Sequence, residues 1–192
     1  MINLILLILA YFLGAIPSAY LFGRLLKGLD VRKIGSGNVG TMNVLRNVGF
    51  LPGLMTFVVD VAKGALAAYL AAVYGTWPFL ILPAALLAVL GHNYNLFLKF
   101  KGGKGLACLI GSMLVISSLS IVFMFAVVGV IAVLIRDANT AAGIGVFSLP
   151  FFLWFLEGHW FFPVFGVAIA LLVASKHRGD FHNYSERRKK MA

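Results

Sequence analysis

Three stretches of this chain carry the residue types that a phosphate-handling site needs. The first is Gly35-Ser36-Gly37-Asn38-Val39-Gly40-Thr41, followed by Asn43 and Arg46. The second is Gly91-His92-Asn93, followed by Lys101-Gly102-Gly103-Lys104-Gly105. The third gathers Arg136, Asp137, Asn139 and Thr140 with His177, Arg178, Asp180, His182 and Asn183. Glycine bares backbone N–H groups, small polar side chains donate, and fixed cations stand beside them. Such sets bind anions. Gly35, Gly37 and Gly40 also fit the G-x-G-x-x-G spacing of a dinucleotide turn. That turn needs a preceding strand, a βαβ unit and an acidic residue about 20 positions on. Here Lys33 follows a long apolar run, and the acidic residue at that distance, Asp60, lies inside another. A Walker A loop fails too, because Leu98 stands at its first glycine and Gly105 at its Ser/Thr. No Ser/His/Asp triad can be assigned. His177 and His182 have no cysteine or third histidine nearby, so neither a metal nor a cofactor is expected. The lone cysteine, Cys108, reads as a small buried apolar residue.

The elements that position these residues are dictated by lipid. Of 192 residues, 61% are hydrophobic and 11% charged, and mean hydropathy is +0.99. An average soluble domain carries about 25% charged residues. The net charge of +10 then reads as basic loops against anionic headgroups. No aromatic-plus-basic groove is visible, so nucleic acid is not an expected partner. Apolar runs cover residues 2–22, 50–74, 77–92, 106–118, 120–135, 140–156 and 160–175. A span takes roughly 20 residues, so the shorter runs borrow flanking ones. No Lys or Arg precedes the first run, which reads as a retained span rather than a cleaved leader. With seven spans, every Lys and Arg except Lys63 falls on one side, the positive-inside pattern. The expectation is an all-α integral membrane protein of one domain, 1–192. It has seven transmembrane helices, its N-terminus outside and its C-terminus cytoplasmic. Residues 117–120 form either a very tight turn or the middle of one helix, and the charge alternation favours the turn. The tail Arg187-Arg188-Lys189-Lys190 reads as a basic end near the headgroups.

Two charges stand inside the second run. Unpaired, Asp60 and Lys63 would each cost at least about 2.5–3.5 kcal/mol at bilayer depth. Three residues apart on a helix, they share a face and can pair. The pair is either an internal tie of the bundle or support behind the phosphate-handling face.

The first stretch, extended to Gly35-Ser36-Gly37-Asn38-Val39-Gly40-Thr41-Met42-Asn43-Val44-Leu45-Arg46, resembles the GSGNxGxxNxxR motif of the bacterial acyl-phosphate:glycerol-3-phosphate acyltransferases. Gly91-His92 with Phe100-Lys101-Gly102-Gly103-Lys104-Gly105 resembles their GHxxPxFxxFKGGKG motif, and His177-Arg178 the start of their third. The HxxxxD pattern of soluble-domain acyltransferases is absent. The resemblance implies acyl transfer from acyl phosphate to glycerol 3-phosphate, giving lysophosphatidic acid and phosphate, in a bacterial cytoplasmic membrane. It also implies coupling to an enzyme that makes acyl phosphate. It places Ser36, Asn38, Asn43 and Arg46 in the active site, Gly102, Gly103 and Lys104 at the glycerol-phosphate site, and His177 as the essential histidine. Gly35, Gly37, Gly40, Thr41, His92, Lys101, Asp180 and Asn183 complete the expected substrate contacts. Departures stand at Asn95, where the motif has proline, at Asp180, where it has Asn, and at Asn139-Thr140-Ala141-Ala142, where a serine is lost.

The expected chemistry needs no covalent intermediate. Lys101, Lys104 and Arg46 offset the repulsion of two anionic substrates. Glycine N–H groups hold phosphate oxygens. His177 or the departing phosphate takes the hydroxyl proton. The competing readings are a diverged acceptor or donor, a small anion transporter, and a catalytically dead lipid- or enzyme-binding homologue.

Overall fold

The structure, a computed structural model, describes residues 1–189, and every regular element among them is helical. In chain order these are α1 (Ile2–Gly14), α2 (Ser18–Lys27), α3 (Thr41–Asn47), α4 (Phe50–Tyr74), α5 (Ile81–Asn93), α6 (Leu106–Ile116), α7 (Ser118–Ile135), α8 (Ala138–Gly145), α9 (Leu149–Glu157), α10 (Phe161–Lys176) and α11 (Arg178–Lys189). Five segments are long and apolar enough to cross a membrane: Ile2–Lys27, Phe50–Tyr74, Ile81–Leu98, Ser118–Ile135 and Ala138–Glu157. α10 with α11, bent by 55°, makes a sixth if the pair counts as one span. All seven apolar runs are helical, but α6 has only 11 residues and falls short of a span's length. Lys190 of the basic tail lies outside the described residues.

The first run is not the continuous helix expected from sequence. It breaks at residues 15–17, because Pro17 has no N–H to continue the ladder. Ser18 then opens α2. The break turns the carbonyls of Ala15 and Ile16 away from helical partners, and both are used below. At 117–120 the chain is not one continuous helix. α6 ends at Ile116, and Ser117 is extended at φ −161° and ψ 85°.

The chain divides into two compact units. Met1–Ile116 is the first, and the second starts at Ser117. In the first unit small residues bring backbones into contact. A Cβ on Gly64 would strike the Cys108 carbonyl, and one on Gly111 would strike that of Val61, so α4 and α6 touch. α1 and α5 meet the same way at Gly14 and Gly91. This is the packing logic of membrane helices, where lipid offers no hydrophobic drive. Cys108 is buried within this contact. The second unit is cored by Leu149, Leu153, Phe165, Ile169 and Val173, while Val130, Val133 and Leu134 of α7 stay exposed, as a lipid-facing helix should.

Candidate active site

The first glycine-rich loop is folded around one side chain. Asn43, on α3 and buried, points its amide back into the loop. Its Nδ2 donates toward the carbonyls of Val31 (2.9 Å), Asn38 (3.0 Å) and Ile34 (3.2 Å). Its Oδ1 accepts from the Ser36 N–H (3.1 Å) and from Asn47 Nδ2 (2.9 Å). Gly35 has φ +54° and lies so close that a Cβ would collide with Asn43 and Asn47. Asn43 is thus spent on the loop, and Ser36, exposed, is held by its own backbone. At the loop's entry Asp30 caps a 3-10 turn and binds Arg32 through two bonds of 2.9 and 2.7 Å. The bond from Arg32 holds the Asp30 carboxyl well below its usual range, at about 2. Arg32 also lies over the Tyr20 ring, 4.9 Å from its centroid. Arg46 stands exposed on α3.

The second loop is folded against the end of α5. The N–H of Gly102 donates to the carbonyl of Asn93 (3.2 Å), and that of Gly103 to His92 (3.1 Å). These two amides hold the loop onto the end of α5. Lys99 and Phe100 are both left-handed, at φ 55° and 62°. Such a conformation costs a non-glycine residue about 1–3 kcal/mol and clusters at functional loops. Lys101 is exposed and Lys104 half-buried. The two loops meet at Gly103, where a Cβ would strike His92 Nε2 and come within 2.6 Å of the Val39 carbonyl.

Behind this meeting point lies a buried polar cluster. Asp60 Oδ1 accepts from Ser18 Oγ (2.6 Å) and pairs with Lys63 Nζ (2.8 Å), with His92 Nδ1 3.6 Å away. Lys63 also donates to the Ile16 carbonyl (2.9 Å). Asn95 Nδ2 donates to the Ala15 carbonyl (2.6 Å). Both carbonyls turned out by the Pro17 break therefore receive buried donors. A small cavity is lined by Ser18, Val39, Lys63, His92, Asn95 and Gly103. The pair read from sequence therefore stands directly behind the second loop. The parts played by Ser18 and Asn95 were missed. Ser18 carries no sequence signal beyond following a proline, while Asn95 did stand out as the departure from its motif.

In the second unit Asp137 caps α8 by accepting from the Thr140 N–H (2.9 Å). His177 is fully buried where α10 ends. Its Nδ1 lies 2.9 Å from the Val173 carbonyl. A carbonyl only accepts, so Nδ1 carries a proton, and Nε2 is the nitrogen that can exchange one. The His177 carbonyl accepts from the Asp180 N–H (2.9 Å), and the Asp180 carbonyl accepts from Thr140 Oγ1 (3.4 Å). Gly143 lets α8 approach this corner, since a Cβ there would lie 2.9 Å from that of His177. His182 and Asn183 are exposed on α11.

A family model described as glycerol-3-phosphate acyltransferase matches residues 4–187. The chain belongs to the glycerol-3-phosphate acyltransferase family. Glycerol-3-phosphate acyltransferase 2 of Moorella thermoacetica is 38% identical over 169 residues, spanning 88% of this chain and 87% of its own. A second relative of the same description, from Dehalococcoides mccartyi, is 42% identical over 151 residues, spanning 79% and 72%. A crystal structure of PlsY (YgiH), an integral membrane glycerol 3-phosphate acyltransferase in its glycerol 3-phosphate form, matches with a TM-score of 0.88 at 31% identity. The match covers 98% of this chain and 94% of that one. As a member of the glycerol-3-phosphate acyltransferase family, this chain is a multi-pass integral membrane protein built from apolar helices.

Proposed function

We propose that this enzyme transfers the acyl group of acyl phosphate to the sn-1 hydroxyl of glycerol 3-phosphate. The products are lysophosphatidic acid, the first lipid of phospholipid synthesis, and inorganic phosphate. The observation that carries this reading is the meeting of the two glycine-rich loops at Gly103, in a chain whose family match runs from 4 to 187. The acceptor hydroxyl oxygen attacks the acyl carbon, the bond from that carbon to the phosphate oxygen breaks, and phosphate leaves with the electron pair. Arg46, Lys101 and Lys104 supply the positive charge that lets two anions approach, with arginine suited to a bidentate grip. Ser36, Asn38, Thr41 and Gly40 line the first loop as substrate contacts, on a scaffold fixed by Asn43. His177 Nε2 is the protein base for the hydroxyl proton, and the departing phosphate is the other acceptor. The donor is already activated, so positioning supplies most of the rate.

The whole chain acts as one membrane acyltransferase domain in the bacterial cytoplasmic membrane. Seven spans, an outer N-terminus and a cytoplasmic C-terminus fit the one-sided distribution of Lys and Arg. A mixed anhydride hydrolyses readily, so an enzyme making acyl phosphate is the expected supplier at the same face.

Purified protein given both substrates should form lysophosphatidic acid and phosphate, and Lys104→Ala and Arg46→Ala should each abolish both. If no acyl donor and polyol phosphate give a product, the enzyme reading falls. A second reading, a changed acceptor, is favoured by Asp180 and Asn95 at motif positions that resemble Asn and Pro. It predicts faster turnover with another polyol phosphate than with glycerol 3-phosphate.

A further inference from the structure

The phosphate-handling residues stand on loops, yet the strongest polar cluster of the first unit lies under them, inside α4. Asp60 and Lys63 are 1% and 4% exposed, in a helix apolar enough to span the bilayer. A simple ion pair within α4 would need only its own two residues. Here the same carboxylate oxygen also takes the Ser18 hydroxyl and faces His92 Nδ1 at 3.6 Å. His92 Nε2, on the far side of the ring, lies where a Cβ on Gly103 would collide with it, and the His92 carbonyl accepts the Gly103 N–H. Lys104 is the next residue. A continuous run of contacts thus leads from Asp60 through His92 to Gly103, one residue from the cation expected to hold phosphate.

We propose that Asp60 is a positioning residue of this acyltransferase. By holding the His92 ring, it fixes the 102–104 segment in the register that accepts the phosphate of the acceptor. Lys63 balances the carboxylate charge and anchors the cluster to the broken end of α1 through the Ile16 carbonyl. The Pro17 break is then the fixed point of the device. It supplies the carbonyl that Lys63 needs and sets Ser18 to bond Asp60. Asp60 touches no reacting atom, so its effect should fall on acceptor binding and leave donor binding alone. This inference rests on the acyl-transfer reading above.

The test compares Asp60→Asn, Lys63→Met and the double variant D60N/K63M with the unaltered enzyme. A purely structural ion pair predicts that the double variant, which buries no unpaired charge, recovers both fold and activity. The positioning role predicts that the double variant folds but stays impaired. Its KM for glycerol 3-phosphate should be raised roughly tenfold or more, with KM for acyl phosphate unchanged. Asp60→Glu should restore part of the loss. Calorimetric binding of glycerol 3-phosphate, which needs no turnover, should weaken in step with KM. Unchanged acceptor binding in a folded double variant overturns the proposal, as does an equal rise in both KM values. If the unaltered enzyme binds glycerol 3-phosphate without forming product, the acyl-transfer reading fails alone, and the binding series still decides the role of Asp60.

Discussion

The two glycine-rich loops of the first unit are held in opposite ways. The first is organised from within, by Asn43, whose amide gathers three carbonyls and one N–H from residues 31–38. The second is organised from behind: His92 and Asn95, at its own start, are met by the Asp60–Lys63 pair of α4 and by the Ala15 carbonyl. The first is tied chiefly by short-range bonds, with Val31, Val39 and Val44 packed in one cluster with Ala19 and Leu98. The second takes its shape only once α1, α2, α4 and α5 have packed. The fold therefore couples assembly of the membrane helices more directly to the shape of the second loop than to that of the first.

That contrast can be sharpened at Gly103, where the loops touch. Gly103→Ala drives a methyl group into His92 Nε2 and the Val39 carbonyl. Acyl transfer should fall about 100-fold in kcat/KM, the scale of a misplacement near 1 Å. An alanine variant with normal kinetics would show that the two loops work apart.

Asn43→Ala should damage the first loop only. It strips a partner from the carbonyls of Val31 and Asn38, while Ile34 keeps the Gly37 N–H, at about 1–3 kcal/mol for a buried polar group left unpaired. Hydrogen exchange should quicken across residues 31–47 and stay slow in α5. Quickening in both loops would break the comparison.

Asn95 gives a smaller effect. Asn95→Ala loses the 2.6 Å bond to the Ala15 carbonyl and should cost about 1–2 kcal/mol in thermal unfolding. Its φ of −71° is one that proline adopts. Asn95→Pro should therefore be the milder change, because the proline ring restricts the unfolded chain.

The smallest effect belongs to the entry of the first loop. The Asp30 carboxyl is depressed to about 2 by its bond from Arg32, against an ordinary value of 3.8. A depressed carboxylate stabilises fully above its ordinary value, and that contribution is lost as pH falls through the folded one. Exchange in residues 30–40 should therefore rise only between about pH 4 and 2, and only modestly for a pair so near solvent. Arg32→Gln should remove the step.

Much of this was legible in the sequence because it is local. Apolar runs gave helices, and glycine with asparagine gave the first loop. The spacing of Asp60 and Lys63 gave their pairing. The break at Pro17 was read through, since an apolar run hides a missing N–H. The bonding of the Gly102 and Gly103 amides to the end of α5 was also hidden, because where a glycine N–H points depends on the backbone path. Ser18 and Asn95 gain their roles only from partners distant in sequence, the Asp60 carboxylate and the Ala15 carbonyl.

The most direct measurement is the stoichiometry of the reaction. With acyl phosphate and glycerol 3-phosphate, the purified enzyme in detergent or bilayer should release one phosphate for each lysophosphatidic acid formed, and neither product should form with Lys104→Ala. Phosphate release without lipid product, or lipid product undiminished in Lys104→Ala, would contradict the account.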